Sequence, residues 1–385
     1  NILDYLSSVI VSLIMLKMIT TKFDPHLYGI YLYVIATINL CTISTIKGIN
    51  KTITGYISKG YYGTVKITTQ LSFMTGCMGV LLLLIFGLYA YYYKNSFIES
   101  ILFFIAALIF LPYSILVRYS SILTGLEKFK DKFVYSSILK STLLMTALVL
   151  VLYFEKGILA FGISQLILST TFFIIFYYLT SLHLTNNKVE NDYLRHSIYI
   201  SFVVLGSQII TPGIQMYLNH SLGSQMLAFY VIASRFPSYL SGVIKPILQP
   251  ISIKLSKRNN YDFKLGVIKL IPFTLIFGLI LYFILFIGIT IFGSFFVGLS
   301  YNISLYYAKL LGLTIIFSPT FTVFNVYLLY TKNNKGYSIS VLFYQIVTIF
   351  GYILFLNEYG ISAIAFTNVV ALTFQILIMS LFILK

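Results

Sequence analysis

Arginine in a stretch that is otherwise apolar is the strongest chemical signal in this chain. Arg235 sits within FYVIASRFPSYLSGVIKPILQPISIKLSK, residues 229–257, a segment apolar enough to cross a bilayer. At roughly 1.5 Å per residue, the guanidinium falls near mid-membrane. A central cationic side chain costs about 2.5–3.5 kcal/mol to insert, and such residues normally face a protein-lined or watery interior. Ser238, Gly242 and Lys245 follow at i+3, i+7 and i+10, so Arg235 heads a small, polar, basic stripe on one helical face. Such a stripe suits an anion, with phosphate or diphosphate the obvious candidates for charge-assisted hydrogen bonds. The competing reading is structural: Arg235 caps carbonyls between packed helices and Lys245 snorkels to the headgroups.

Other embedded ions share the positive sign. Lys17, Lys140 and Lys309 fall inside apolar segments, whereas Asp4 is the one acid within a span. Gln208, Thr211, Gln215 and Asn219 form a narrow polar stripe, which must line a cavity or another helix because lipid leaves amides unsatisfied. Lys17, Lys140, Arg235, Lys245, Lys309, Gln208 and Gln215 are therefore the expected substrate-binding residues. Catalytic and metal-binding patterns are missing from the sequence. There is no GxSxG, no Walker loop, and no metal-spaced cluster among Cys41, Cys77, His26, His183, His196 and His220. The glycines of KGYYG, residues 59–63, are too sparse for a phosphate loop and predict a surface turn. No enzyme is expected, and no cofactor beyond a coupling ion, H⁺ or Na⁺.

These residues need membrane helices to hold them. The chain has 385 residues, 59% of them hydrophobic and 9% charged, far from the usual soluble balance. Apolar segments fall near 3–20, 28–46, 70–93, 100–122, 133–153, 158–182, 197–219, 224–247, 266–291, 302–330, 337–356 and 361–384, which predicts about twelve transmembrane helices. They are long continuous runs, unlike the alternating ten-residue strands of a barrel. A net charge of +16 comes from basic residues spaced between these segments, which excludes a nucleic-acid-binding face. Every second loop is basic, from Lys47, Lys51, Lys59 and Lys66 through Arg118, Lys128, Lys130 and Lys132 to Lys332 and Lys335. Under the positive-inside rule both termini are cytoplasmic. No extramembrane domain is expected, the longest connection being Thr45 to Lys66.

The polar linker HLTNNKVENDYLRH, 183–196, divides the chain almost in half. YFEKGILAFGISQ at 153–165 matches LNEYGISAIAFTN at 356–368, with Gly157 on Gly360 and Ser164 on Thr367. YLYVIA at 31–36 aligns with YVIASR at 230–235, and Lys47 and Lys59 pair with Lys245 and Lys257. The fold class is thus all-α, two parallel six-helix repeats: bundles 1–182 and 197–385 joined by the linker 183–196.

YGIYLYVIATINLCTISTIKGINKTITGYISKGYYGT at 28–64 resembles the second helix and following loop of Wzx-type O-antigen and capsule repeat-unit flippases. These are the polysaccharide-transporter branch of the multidrug/oligosaccharidyl-lipid/polysaccharide exporter superfamily. GLEKFKDKF at 125–133 is similar to the family's loop between helices four and five, and FYVIASRFPSYL at 229–240 to its eighth helix. The resemblance implies alternating-access translocation of an undecaprenyl-diphosphate-linked oligosaccharide across the bacterial inner membrane. Its implied partners are that lipid-linked oligosaccharide, membrane lipids, a downstream polymerase and a chain-length regulator, with no nucleic acid. Arg235 corresponds to a position where the related lipid II flippases also carry arginine. Thr37 and Asn39 stand where those relatives have a second embedded arginine, and Lys47 or Lys51 is the candidate substitute. A cation-coupled multidrug exporter would want an embedded carboxylate, and a polysaccharide polymerase or ligase a large external loop. Both run against the sequence.

Overall fold

In hydrocarbon the chain must satisfy its backbone polar groups internally, which leaves the helix as the economical solution for long apolar segments. The computed structural model describes residues 2–46, 49–154, 157–190, 192–256, 260–330 and 334–384, with Lys51, Lys245 and 249–269 among the residues whose side chains are left out. No strand occurs among them. The helices are α1 (Ile2–Lys22), α2 (Pro25–Cys41), α3 (Ile49–Ser58), α4 (Gly63–Tyr92), α5 (Phe97–Leu116), α6 (Tyr119–Gly125), α7 (Phe129–Phe133) and α8 (Lys140–Tyr153). They continue as α9 (Ile158–Ser181), α10 (Tyr193–Leu222), α11 (Ser224–Ser256), α12 (Asn260–Phe296), α13 (Ile303–Leu311), α14 (Thr314–Tyr330), α15 (Asn334–Tyr359) and α16 (Ile361–Leu384). A π-helical stretch, Val134–Leu139, makes α7 and α8 one path. With α5–α6 and α13–α14 likewise joined, the described residues form twelve long helical passes plus the short α3. Nine of these paths are long and apolar enough by composition alone to cross a membrane.

The chain divides into two compact units, residues 1–25 with 218–385 and residues 26–217. The division does not fall at the polar linker. α1 joins the helices of the second half, and most of α10 joins those of the first.

In the unit 26–217 the central contact is made by Arg118, which the charge pattern had assigned to a basic loop. Arg118 is only 1% exposed. Its Nε donates to Asn50 Oδ1 (2.8 Å), Nη1 to the Thr68 carbonyl (2.9 Å), and Nη2 to the Thr45 carbonyl (3.1 Å) and to Ser72 Oγ. Ser72 Oγ also donates to the Thr45 carbonyl, at 2.7 Å. The positive charge is therefore held by carbonyl dipoles, one of them at the C-terminal, negative end of the helical run through α2. This contact fixes a strained turn. Ile46, the next residue, is β-branched and left-handed (φ 51°), a conformation that costs about 1–3 kcal/mol and persists only where surrounding contacts impose it. Beyond it, α3 replaces the expected loop between Thr45 and Lys66, burying Ile49, Ile53 and Ile57 while Lys59 and Lys66 stay exposed.

The linker 183–196 is strapped onto this same unit. Gly63 N–H donates to the Lys188 carbonyl at 2.9 Å, and Asn186 Nδ2 to the Gly60 carbonyl at 3.1 Å. A Cβ on Gly63 would lie 2.3 Å from the Asn187 carbonyl oxygen, so the second glycine of KGYYG permits a backbone contact while Gly60 (φ 85°) makes the turn. Tyr193 at the start of α10 is fully buried against Ile49, Ile53 and Ile57, and Ser197 shares a 2.8 Å hydrogen bond with Thr52.

The other unit captures α1 at both ends. Tyr5 Oη donates to the Ser238 and Tyr239 carbonyls (3.0 and 2.9 Å). At the far end Gly298 N–H donates to Thr20 Oγ1 (3.0 Å), and Tyr301 Oη to the Phe23 carbonyl (3.1 Å). The repeat match at Gly157 and Gly360 falls at equivalent places, each immediately before a helix. The backbones differ, Gly157 being extended and Gly360 left-handed (φ 58°).

Arg118→Leu strands several buried acceptors and should lower stability by about 3 kcal/mol or more in denaturant titration of the purified protein, with Arg118→Lys restoring only part because one ammonium cannot reach all four partners. Gly63→Val should leave the helices intact but free the linker, read as faster limited proteolysis between residues 183 and 192.

Candidate functional site

Arg235 owes its place to α11, whose apolar membrane path runs Ser224–Ile244. It stands about eleven residues from the start of that path, roughly 16 Å by helical rise, and so at its midpoint. The side chain is half-buried. α11 is held mainly by α13 and α14 within its unit, and α1 lies across it. The stripe below Arg235 is partly taken up by that crossing. A Cβ on Gly242 would fall 2.0 Å from Tyr5 Oη, so the glycine is there to admit the ring, and the Ser238 carbonyl takes one of the Tyr5 hydrogen bonds. Gly242 therefore serves helix packing. The side chain of Lys245 lies outside the described residues.

Each of the three embedded lysines is seated on an aromatic ring in its own unit. Lys17 Nζ is 3.4 Å from the centroid of Phe295, Lys309 Nζ 4.6 Å from that of Phe286, and Lys140 Nζ 4.7 Å from that of Phe173. Such cation–π contacts contribute about 0.5–2 kcal/mol, more where water is excluded. They also separate two of the expected partners. Phe286 and Phe295 are nine residues apart on α12, which puts them on opposite faces and roughly 13 Å apart along the axis. Lys17 and Lys309 thus belong to different surroundings and do not converge on one ligand. Lys140, Gln208 and Gln215 belong to the unit 26–217. Gln208 and Gln215 are half-buried on α10, whereas Thr211 of the same stripe is exposed.

Thr37 of α2 is fully buried and donates to the Tyr33 carbonyl within its own helix (2.9 Å). Lys47 lies outside the described residues, as does the side chain of Lys51. Sequence patterning missed most of a set of buried polar atoms in the unit containing Arg235. Tyr352 Oη donates to Asn368 Oδ1, and Asn219 Oδ1, Asn325 Oδ1 and Gln345 Nε2 are buried without a protein hydrogen bond. Asn219 belongs to the polar stripe on α10, whereas Asn325, Gln345 and Asn368 are isolated amides in apolar segments, each too sparse to form a stripe. No group of three or more His, Cys, Asp or Glu residues able to hold a metal ion occurs among the described residues.

No protein-family model matches the chain, and no curated protein matches it by sequence. Solved structures do. The lipid II flippase MurJ in an inward closed conformation aligns over 100% of this chain and 88% of its own, with a TM-score of 0.71 and 16% identity. An inward-facing multidrug-resistance MATE transporter of the MOP superfamily aligns over 100% and 98%, with a TM-score of 0.71 and 14% identity. An outward-facing structure of such a MATE transporter aligns over 99% and 94%, with a TM-score of 0.63 and 12% identity. The chain has the all-helical membrane fold these proteins share.

Gly242→Leu should drive α1 off α11, costing about 1–3 kcal/mol and exposing the segment before Val9 to protease, whereas Tyr5→Phe should cost about 1 kcal/mol and keep α1 in place.

Proposed function

We propose that this protein is a membrane flippase that moves a lipid-linked oligosaccharide bearing a diphosphate, in the manner of O-antigen or capsule repeat-unit export, with Arg235 as the principal anion contact. A guanidinium at the midpoint of a membrane path is the observation that carries this reading. Its planar fork suits bidentate contact with phosphate oxygens. Likeness in fold to a lipid II flippase supports a lipid-linked cargo, and the sign of the embedded charge supports an anionic one. The fold is equally like that of a MATE transporter, which favours multidrug export as the second reading. That reading fits less well with the excess of embedded cations, Lys17, Arg118, Lys140, Arg235 and Lys309 against Asp4 and Glu99, the latter paired with Lys94.

In this proposal the protein works in the bacterial inner membrane with both termini cytoplasmic, and a coupling ion, H⁺ or Na⁺, supplies the drive. A downstream polymerase and a chain-length regulator act on the delivered units. Arg235→Ala and Arg235→Glu, shown to insert at wild-type levels, should fail to restore surface polysaccharide in a flippase-null strain, with Arg235→Lys keeping part of the activity. Restoration as full as wild type by both variants would remove Arg235 from the cargo path. Deletion should strand single lipid-linked units on the cytoplasmic side. Single unpolymerised units reaching the outer side would point instead to a polymerase.

A further inference from the structure

An apolar cavity of about 490 Å³ opens within the unit 1–25 with 218–385, where α1, α11 and α12 meet. Its walls include Val9 and Leu13 of α1, Phe236 and Leu240 of α11, and Gly288 and Phe292 of α12. At Gly288 the slot reaches the backbone of α12, where an added Cβ would meet no atom within 4 Å. Sugars and peptides find almost no polar surface there, and a hydrocarbon chain is the ligand that such walls recognise. One end carries charge. Lys17 lies one helical turn beyond Leu13 on the same face of α1, and its ammonium sits over Phe295, next to the lining residue Phe296.

We propose that this slot binds one acyl chain of an anionic glycerophospholipid, whose phosphate is taken by Lys17. The charge match selects the lipid: one ammonium answers the single negative charge of a phosphodiester, whereas a diphosphate calls for several donors. Val9 and Leu13 line the slot and Lys17 follows on the same face about 6 Å beyond Leu13, so chain and headgroup are engaged by one helix face. Lys17 is thereby a lipid anchor on α1 and lies outside the cargo contact proposed for Arg235.

The test uses the full chain purified in nanodiscs with phosphatidylglycerol or phosphatidylcholine carrying a diazirine on one acyl chain, the cross-links mapped by mass spectrometry. Phosphatidylglycerol should label residues 285–296 about fivefold more than phosphatidylcholine. Lys17→Gln should bring that ratio to about one. Gly288→Leu should abolish labelling in this stretch while leaving labelling of the exposed face of α4 unchanged, and Val9→Phe provides an independent block should Gly288→Leu fail to accumulate. Equal labelling by the two lipids in the wild type, labelling that survives a folded blocking variant, or displacement by equimolar polyprenyl diphosphate would each overturn the proposal.

Discussion

Hydrocarbon offers no hydrogen bonds, so any polar or charged group this chain carries into the membrane has to be answered from within the protein. Arg118 shows how far that demand shapes the fold. Its guanidinium is neutralised by carbonyl dipoles and two polar side chains, and in taking the Thr45 carbonyl it secures the left-handed Ile46 that launches α3. α3 in turn provides the surface on which the start of α10 is buried. One buried cation therefore organises the end of α2, the turn, α3 and the beginning of the second half of the chain. The lysines meet the same demand with aromatic faces, each ammonium resting on a phenylalanine.

The same bookkeeping of polar contacts explains why sequence halves and structural units differ. α1 is tied to the second half by Tyr5 at one end and by Thr20 and Phe23 at the other. α10 is tied to the first half by Tyr193 and Ser197. The sequence repeats are parallel copies, and the leading helix of each is counted with the other copy's helices. The chain therefore passes between units at 25–26 and again at 217–218, within α10, and not at the polar linker.

Helix number and membrane class were legible in the sequence because they follow from long-range averages of hydropathy and charge, which local packing does not alter. Arg118 was misread for the opposite reason. In sequence it groups with Lys128, Lys130 and Lys132 past an apolar run, and only tertiary contacts with Asn50, Thr68 and Ser72, residues 46 to 68 positions away, reveal a buried clamp. Gly242 was read as part of a polar stripe when its smallness serves the Tyr5 ring. α3 was hidden because ten residues with three isoleucines are too short for a membrane window. The place of Arg235 midway along an apolar helical path was legible, since it depends only on counting residues.

The central claim is that a positive charge at the midpoint of the membrane path of α11 recognises a lipid diphosphate. It is tested most directly by titrating the purified protein in nanodiscs with undecaprenyl diphosphate and, in parallel, with the uncharged alcohol of the same chain. Tighter binding of the diphosphate by about tenfold or more, abolished in a folded Arg235→Gln variant, is the predicted result. Equal affinity for the two lipids, or a preference that survives the substitution, would contradict it.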